Sequence, residues 1–333
     1  MSLGADMIAI LEGKERNLFK HHPWVFSGAM DASTLPASAG VEKVVSYDGR
    51  FIAWGWYDKD SHIPLRLLSW KEDDMPDSAW WERSVRESVL RRKSFFSDMS
   101  SSTNVFRIIH GEADLLPGLV ADVYGRIVRI IVSARVAWDM REVVVRAIEG
   151  LLHPQMIILN TDSAFCAIEK LHEIVEYYQE GVRFTPAEKL AEMRIREDGI
   201  YYGLVPGTGQ KSGFYCDQRE NRRRLEQYVK DAVVFDGCCY TGGFTLHALR
   251  GGCRKVDAFD SSADAVHRLL SNVHLNVDLG VLPSSSLERV TANKADVFET
   301  LRSIPRNAYD VMILDPPKLA QTIKSLESAK KAY

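Results

Sequence analysis

The stretch VVFDGCCYTGGFTL, residues 233–246, decides the fold. A short apolar run leads into Asp236 and a glycine-bearing turn, and the apolar spacing that follows is that of a helix. This is the order of the first strand, loop and helix of a doubly wound nucleotide-type fold. The loop also separates ligands. A dinucleotide fold needs G-x-G-x-x-G so that bare backbone approaches a pyrophosphate. Here Gly237, Cys238, Cys239, Tyr240, Thr241, Gly242, Gly243 and Phe244 follow the acid, with bulky Tyr240 in the way. Pyrophosphate, and with it a nicotinamide dehydrogenase, fits poorly. S-adenosylmethionine (SAM) carries a sulfonium cation and an amino-acid tail but no phosphate, and such a loop tolerates it.

Toward the C-terminus, residues 255–259 read as a second strand ending at Asp260, Ser261 and Ser262. Asp260 lies 24 residues beyond Asp236, the position for an acid that takes ribose hydroxyls. A third strand at 290–292 is followed by Asp296 and Val297; Asp296 suits an adenine amine and equally a helix cap. The fourth strand, 309–314, ends in Asp315, Pro316, Pro317 and Lys318. Ligands of open α/β sheets sit at the carboxyl ends of the strands, where a proline-stiffened turn aims Asp315 at a substrate. A structural turn explains this motif as well when it stands alone; three preceding elements in the right order favour catalysis.

Upstream, the Gly-rich loop 207–213 puts Gln210 and Lys211 within reach of a ligand, and Asp217 with Glu220 predicts a capping box and a helix over 218–229. The run Arg222, Arg223, Arg224 spreads around that helix, making Arg222 and Arg223 candidates to face a polyanion. Asp198-Gly199 predicts a hairpin turn. Residues 76–190 read as an α+β module with a helix over 80–96, strands at 106–110, 119–123, 127–132 and 156–159, and a helix over 138–151. Trp81, Val85 and Val89 form the inner face of the first helix, with Arg91, Arg92 and Lys93 solvated. His110, Glu112 and Asp114 share a turn without metal-ligand spacing. Residues 1–75 carry short alternating strands and the turn signal Asp48-Gly49, which predict a small β-barrel. Beside Trp24 and Phe26, the residues Lys14, Arg16, Lys20, His21 and His22 make a basic edge of the kind that grips phosphates and stacks bases; a solvated loop over an aromatic core explains them equally well.

With 333 residues, 46% hydrophobic and 26% charged, the composition is that of a soluble multidomain protein. No apolar window approaches the roughly 20 residues of a membrane span, and the N-terminus does not read as a signal peptide, so no membrane partner and a cytoplasmic location are expected. Five cysteines without C-x-x-C spacing read as reduced thiols. A net charge of -3 excludes nucleic-acid binding by bulk charge and leaves it to local basic patches.

The loop DGCCYTGGF, the acid of DSS, the stretch ADVF and the turn DPPK resemble the first four motifs of class I SAM-dependent methyltransferases. Over nearly all of its length the chain resembles the bacterial large-subunit ribosomal RNA cytosine-C5 methyltransferase family (RlmI-like). HHPWVFSGAM and GRFIAWGWYDKDSHIPLRLLSW look like its PUA barrel, HGEADLLPGLVADVYG like its central domain and GQKSGFYCDQRENRR like the run before the SAM loop. The resemblance implies an α/β, Rossmann-like class I SAM-methyltransferase domain over 191–333, behind a PUA-like β-barrel (1–75) and a central α+β domain (76–190). It implies SAM as cofactor and ribosomal RNA as partner. Asp236, Tyr240, Gly242 and Phe244 would line the SAM tail, with Cys238, Thr241 and Gly243 in the same loop, Asp260 at the ribose, Asp296 at the adenine and Asp315 at the target base.

The implied chemistry adds a cysteine thiolate to C6, lets C5 take the methyl group, then removes the C5 proton and eliminates the thiolate. That cysteine is expected on a later strand, whereas this sequence stops just past the fourth. The domain therefore reads as truncated, with an open strand edge for which a homodimer or a swapped segment would be the cover. Cys238 and Cys239 are poor substitutes in the cofactor loop. Guanine-N7 methylation, which needs no cysteine, is a rival, because DPPK also resembles the NPPY-type turn of amino-directed enzymes. An RNA-binding assembly factor with a vestigial SAM fold is the alternative of another class.

Overall fold

The structure, a computed structural model, describes residues 7–96, 102–206 and 214–316, so Gln210, Lys211, Pro317 and Lys318 lie outside the described residues. The chain divides into two compact units. Met1–Asp98 with Phe106–Lys189 forms the first, and Met99–Val105 with Leu190–Tyr333 the second.

In the first unit β1 (Met7–Ala9), β2 (Trp24–Val25), β3 (Gly40–Val45), β4 (Phe51–Tyr57) and β5 (Leu65–Ser69) form a five-stranded sheet in the order β1-β3-β4-β5-β2. The β3–β4 hairpin turns at Asp48-Gly49, with Gly49 at φ 82°, a conformation glycine adopts without a Cβ penalty. Ile8, Val25, Val44, Ile52, Leu65 and Leu67 fill the core of this sheet.

The same unit continues with α1 (Ser78–Phe96), β6 (Val105–His110), β7 (Leu119–Tyr124), β8 (Ile127–Val132), α2 (Arg135–Asp139), α3 (Arg141–Leu152), β9 (Met156–Thr161), α4 (Ser163–Glu169), β10 (Val175–Gln179) and β11 (Val182–Phe184). Its six strands run in the order β11-β10-β9-β8-β7-β6. Trp81, Val85 and Val89 of α1 share a buried core with Val144 and Ile148 of α3. The single helix expected over 138–151 is two, because Met140 leaves helical geometry at φ -93°, ψ 3°. Arg92, expected on a solvated face, instead donates to buried Asp114 at 2.5 Å. Asp114 also accepts the His110 N–H at 2.7 Å, so this acid holds its own turn together.

The second unit opens with β12 (Met193–Glu197) and β13 (Ile200–Leu204), an antiparallel hairpin whose turn residues Asp198 and Gly199 have φ 48° and 85°. Both central residues at positive φ is the type I′ signature that Asp-Gly encodes. α5 follows (Arg219–Leu225), shorter than expected. The capping box does not form: Asp217 lies in a 3-10 turn, Cys216–Gln218, and the cap residue Gln218 makes no side-chain cap bond.

Next come β14 (Val233–Gly237), α6 (Gly243–Arg250), β15 (Lys255–Asp260), α7 (Ala263–Asp278), α8 (Ser286–Arg289), β16 (Val290–Lys294), α9 (Val297–Ser303) and β17 (Val311–Leu314). Their sheet has the order β16-β15-β14-β17 with every pair parallel. The chain thus winds outward from β14 to β16 and then crosses to the other side of β14. That reversal, between β14 and β17, is the topological switch point where open α/β sheets take ligands. Among the described residues β17 is an edge strand, with Met312 and Leu314 exposed.

Candidate cofactor site

The loop after β14 adopts a strained conformation that its neighbours enforce. Cys238 and Tyr240 sit at φ 61° and 46°, in the left-handed region that side chains with a Cβ avoid. Asp260, at the end of β15, accepts the Tyr240 N–H with Oδ2 and the Ser262 N–H with Oδ1, both at 2.9 Å. The Cys239 N–H donates to Phe259 O at 3.1 Å, and the Gly242 N–H to Cys239 O at 2.9 Å. Gly242 has φ 89°, and a Cβ there would stand 2.6 Å from Leu269 Cγ, so only glycine lets α7 approach the loop.

The loop forms one wall of a cavity of about 880 Å3, within the usual range of small-molecule sites. Cys238, Tyr240, Thr241, Gly243 and Phe244 line it from the loop and the start of α6. Asp260, Ser261 and Ser262 line it after β15, Asp296 and Val297 after β16, and Asp315 and Pro316 after β17. Asp296 caps α9, its Oδ1 accepting the N–H groups of Phe298 and Glu299 at 2.9 and 3.0 Å. The cap uses one carboxylate oxygen and does not need Oδ2.

Two expected residues are placed differently. Gly242 packs on Leu269 and does not line the cavity. Asp236 is 1% exposed behind the wall, with the Thr245 hydroxyl donating to its Oδ2 at 2.6 Å. Burial, opposed by the Thr245 bonds and reinforced by Asp315 and Asp260, pushes its carboxyl up to about 7. A cation in the cavity acts on the ionised form through the same Coulomb field with opposite sign. Cationic-ligand affinity should therefore rise with pH and level off above about 7, falling by up to about tenfold per pH unit below. The cofactor-free fold should respond the other way. Between the ordinary Asp value and about 7 the folded state keeps a proton that the unfolded state has lost, so stability falls as pH rises. Calorimetric titration and melting curves from pH 5 to 8, with Asp236→Asn as the reference that lacks this titration, check both slopes.

Sequence reasoning missed another part of the lining. Gly203, Phe214, Tyr215, Asp217 and Gln218 line the cavity, as do Asp264 and Arg268 of α7. The Tyr215 ring meets that of Tyr240 edge-on, with centroids 5.3 Å apart, and Gln218 Nε2 donates to Asp315 Oδ1 at 3.2 Å. The run GFYCDQR carried this signal, but spacing alone did not aim its side chains.

Arg222 is a correction. Expected to contact RNA, it is 3% exposed, and its guanidinium makes two bonds to Glu197, Nε to Oε1 at 2.7 Å and a terminal nitrogen to Oε2 at 2.8 Å. Arg219 and Arg222, three apart, share the buried face of α5, whereas Arg223 is exposed. In the first unit Lys14, Arg16, Lys20 and His22 are the other expected RNA contacts. Lys14, Lys20 and His22 are exposed and Arg16 is among the surface residues of the same loop, while Trp24 is 39% exposed with its indole N–H donating to Glu112 at 3.1 Å.

Charge decides what the cavity holds. Asp217, Asp260, Asp264, Asp296 and Asp315 face it, while the two guanidiniums on its lining are paired, Arg222 with Glu197 and Arg268 with Glu192, both at 2.7 Å. An acidic cavity favours a cation and repels a pyrophosphate, so the donor set fits SAM. Neither cysteine on the lining is poised as a nucleophile: burial and the neighbouring Asp260 and Asp236 push the Cys238 thiol up to about 11. Burial likewise raises Cys239.

Parallel sheet, switch-point cavity and acidic lining define an α/β protein that takes a cationic nucleoside. The chain belongs to the S-adenosylmethionine-dependent methyltransferase family, whose sequence profile matches residues 147–329, and a PUA-like domain profile matches residues 8–70. It is 31% identical to a ribosomal RNA large subunit methyltransferase I from Tolumonas auensis, over 98% of this chain and 79% of that protein. A protein of the same name from Enterobacter sp. is 29% identical over 98% and 79%. Among solved structures, a protein described as a SAM-dependent methyltransferase from Streptococcus mutans shares the fold with TM-score 0.73 at 20% identity, over 93% of this chain and 77% of that one. A methyltransferase structure complexed with SAH matches with TM-score 0.74 at 20% identity, over 94% and 76%. The protein is thus a SAM-dependent methyltransferase with an N-terminal PUA-like domain. Among the described residues no helix is long and apolar enough to cross a membrane.

Proposed function

We propose that this enzyme methylates a base of large-subunit ribosomal RNA in the cytoplasm, with cytosine C5 as the acceptor. The observation that carries this reading is the match over 98% of the chain, through both the PUA-like and the methyltransferase segments, to proteins named for that substrate. SAM supplies an electrophilic methyl group. Asp260 takes the ribose hydroxyls, and Asp296 offers Oδ2 to the adenine amine. Asp236 favours the cationic donor through its field, and Asp315, steadied by Gln218, meets the target base at the switch point. Flipping the base out of its stack costs a few kcal/mol and gives the enzyme access to a ring atom that a helix hides, an estimate on the order of that for other base-flipping enzymes.

Lys14, Arg16, Lys20 and His22 contact phosphates from the PUA-like domain, with Trp24 beside them as a stacking surface, and exposed Arg223 adds charge from the second unit. Replacing Lys14, Arg16 and Lys20 by Ala should weaken RNA binding across sequences. It should also flatten the slope of log affinity against log salt by about one for each phosphate that is no longer neutralised. Filter binding at several salt concentrations measures it.

The test of function is incubation with methyl-labelled SAM and ribosomal RNA, followed by nucleoside analysis. Label in 5-methylcytidine is expected, and label found only in protein or a small molecule rejects the reading. The resemblance of the turn DPPK to the NPPY-type turn of amino-directed enzymes carries a second reading, transfer to a base nitrogen such as guanine N7, which needs no thiolate. Label in an N-methylated purine would establish it.

A further inference from the structure

Helix α7 carries two asparagines on its buried face. Asn272 and Asn276 lie among Leu269 and Val273, at 1% and 0% exposure. An amide in such a place is retained only with its hydrogen bonds made. Asn276 ties its amide to the hairpin and to its own helix: Oδ1 accepts the Tyr201 N–H at 2.9 Å, and Nδ2 donates to Tyr201 O at 2.7 Å and to Asn272 O at 2.8 Å. Asn272, one turn earlier, joins two elements. Its Oδ1 accepts the Gly203 N–H at 2.8 Å and its Nδ2 donates to Thr241 O at 2.9 Å. The partners fix the orientation of the amide, since one is a donor and the other an acceptor.

Gly203, on β13, and Thr241, in the loop after β14, both line the cavity. Thr241 sits between Tyr240 and Gly242, both at positive φ, in a loop that keeps its shape only if the surroundings over-determine it. Asp260 holds the Tyr240 end of that peptide run, and Asn272 holds the Thr241 carbonyl next to it.

We propose that Asn272 is a positioning residue for the cofactor: it locks the Thr241 carbonyl, and with it the strained loop, to the β13 edge, so that two cavity walls stand at a fixed separation before SAM arrives. The proposal rests on placing SAM in this cavity. Preorganisation of this kind lowers the ordering cost of binding, so its loss appears in cofactor affinity and leaves the chemistry of the bound complex in place.

Asn276→Ala is the control. It removes an equally buried amide from the same helix and loosens the same hairpin without touching the loop. Both Asn272→Ala and Asn276→Ala should lower the melting temperature. Only Asn272→Ala should raise the calorimetric Kd and the KM for SAM, roughly tenfold for the loss of the bond that holds the Thr241 carbonyl, with kcat at saturating SAM and the KM for RNA retained. Asn272→Asp, close in shape, keeps the acceptor for Gly203 and sets an oxygen against Thr241 O, so its Kd should rise at least as far. An unchanged Kd in both Asn272 variants, or equal rises in Asn272→Ala and Asn276→Ala, overturns the proposal. Asp260→Ala tells which idea has failed. If it too binds SAM normally, the placement of SAM is wrong; if it loses SAM while the Asn272 variants do not, only the role of Asn272 is wrong.

Discussion

Glu197→Ala should destabilise the methyltransferase unit by about 3–5 kcal/mol, the cost of leaving a buried charge without its partner. Glu197 is fully buried at the end of β12, and both of its oxygens bind Arg222. Arg222 also donates to Tyr215 O at 2.7 Å and lies 4.9 Å over the Phe214 ring, and Glu197 Oε1 stands 3.8 Å from His247 Nε2. Removing the carboxylate strands a guanidinium that is only 3% exposed. Replacing both members, Glu197→Leu with Arg222→Met, should cost far less, because no unpaired charge remains. Urea denaturation of Glu197→Leu, Arg222→Met and the double variant gives the coupling energy directly. A Glu197→Ala loss under about 1 kcal/mol would show that water reaches Arg222, since exposed pairs are worth no more than that. The pair also bears on function: without Arg222 the Tyr215 carbonyl loses a donor, and the Tyr215–Tyr240 contact on the cavity wall loosens.

The same pair shows where sequence reading stops. The parallel strands, the Asp198-Gly199 turn and the order of acids after β14, β15, β16 and β17 were legible because each is a local pattern with one geometric meaning. Three consecutive arginines have several. Arg222 looks like a phosphate contact until Glu197, 25 positions earlier in sequence, is seen to fold against it. Asn272 and Asn276 were invisible for a related reason: on a helix, polar residues at this spacing read as a solvated stripe, and only the hairpin edge packed on α7 makes them internal. Asp236 is expected along the cofactor tail but lies buried behind the wall, since a type of residue does not reveal whether its carboxylate faces the cavity. Met140 broke a helix whose apolar period runs on without interruption.

Asp260→Ala should weaken SAM binding by about 3 kcal/mol, on the order of a hundredfold. The estimate follows from two losses at one carboxylate. In the proposed function Asp260, at the end of β15, accepts the ribose hydroxyls in charge-assisted bonds, each worth more than a neutral one. Its oxygens meanwhile take the N–H groups of Tyr240 and Ser262, so its removal also frees the strained loop. Asp260→Asn separates these from simple charge. An amide has one acceptor oxygen, and its NH2 would face either the Tyr240 or the Ser262 N–H, so Asn should bind SAM almost as poorly as Ala. If charge alone mattered, Asp264→Ala, which removes another carboxylate from the same cavity, would match it. The loop argument predicts only a few-fold effect there, because none of the bonds that hold Tyr240 end on Asp264. Calorimetric Kd values for the three variants decide between the two accounts: Asn within about threefold of the parent, or Asp264→Ala equal to Asp260→Ala, would remove Asp260 from its double role.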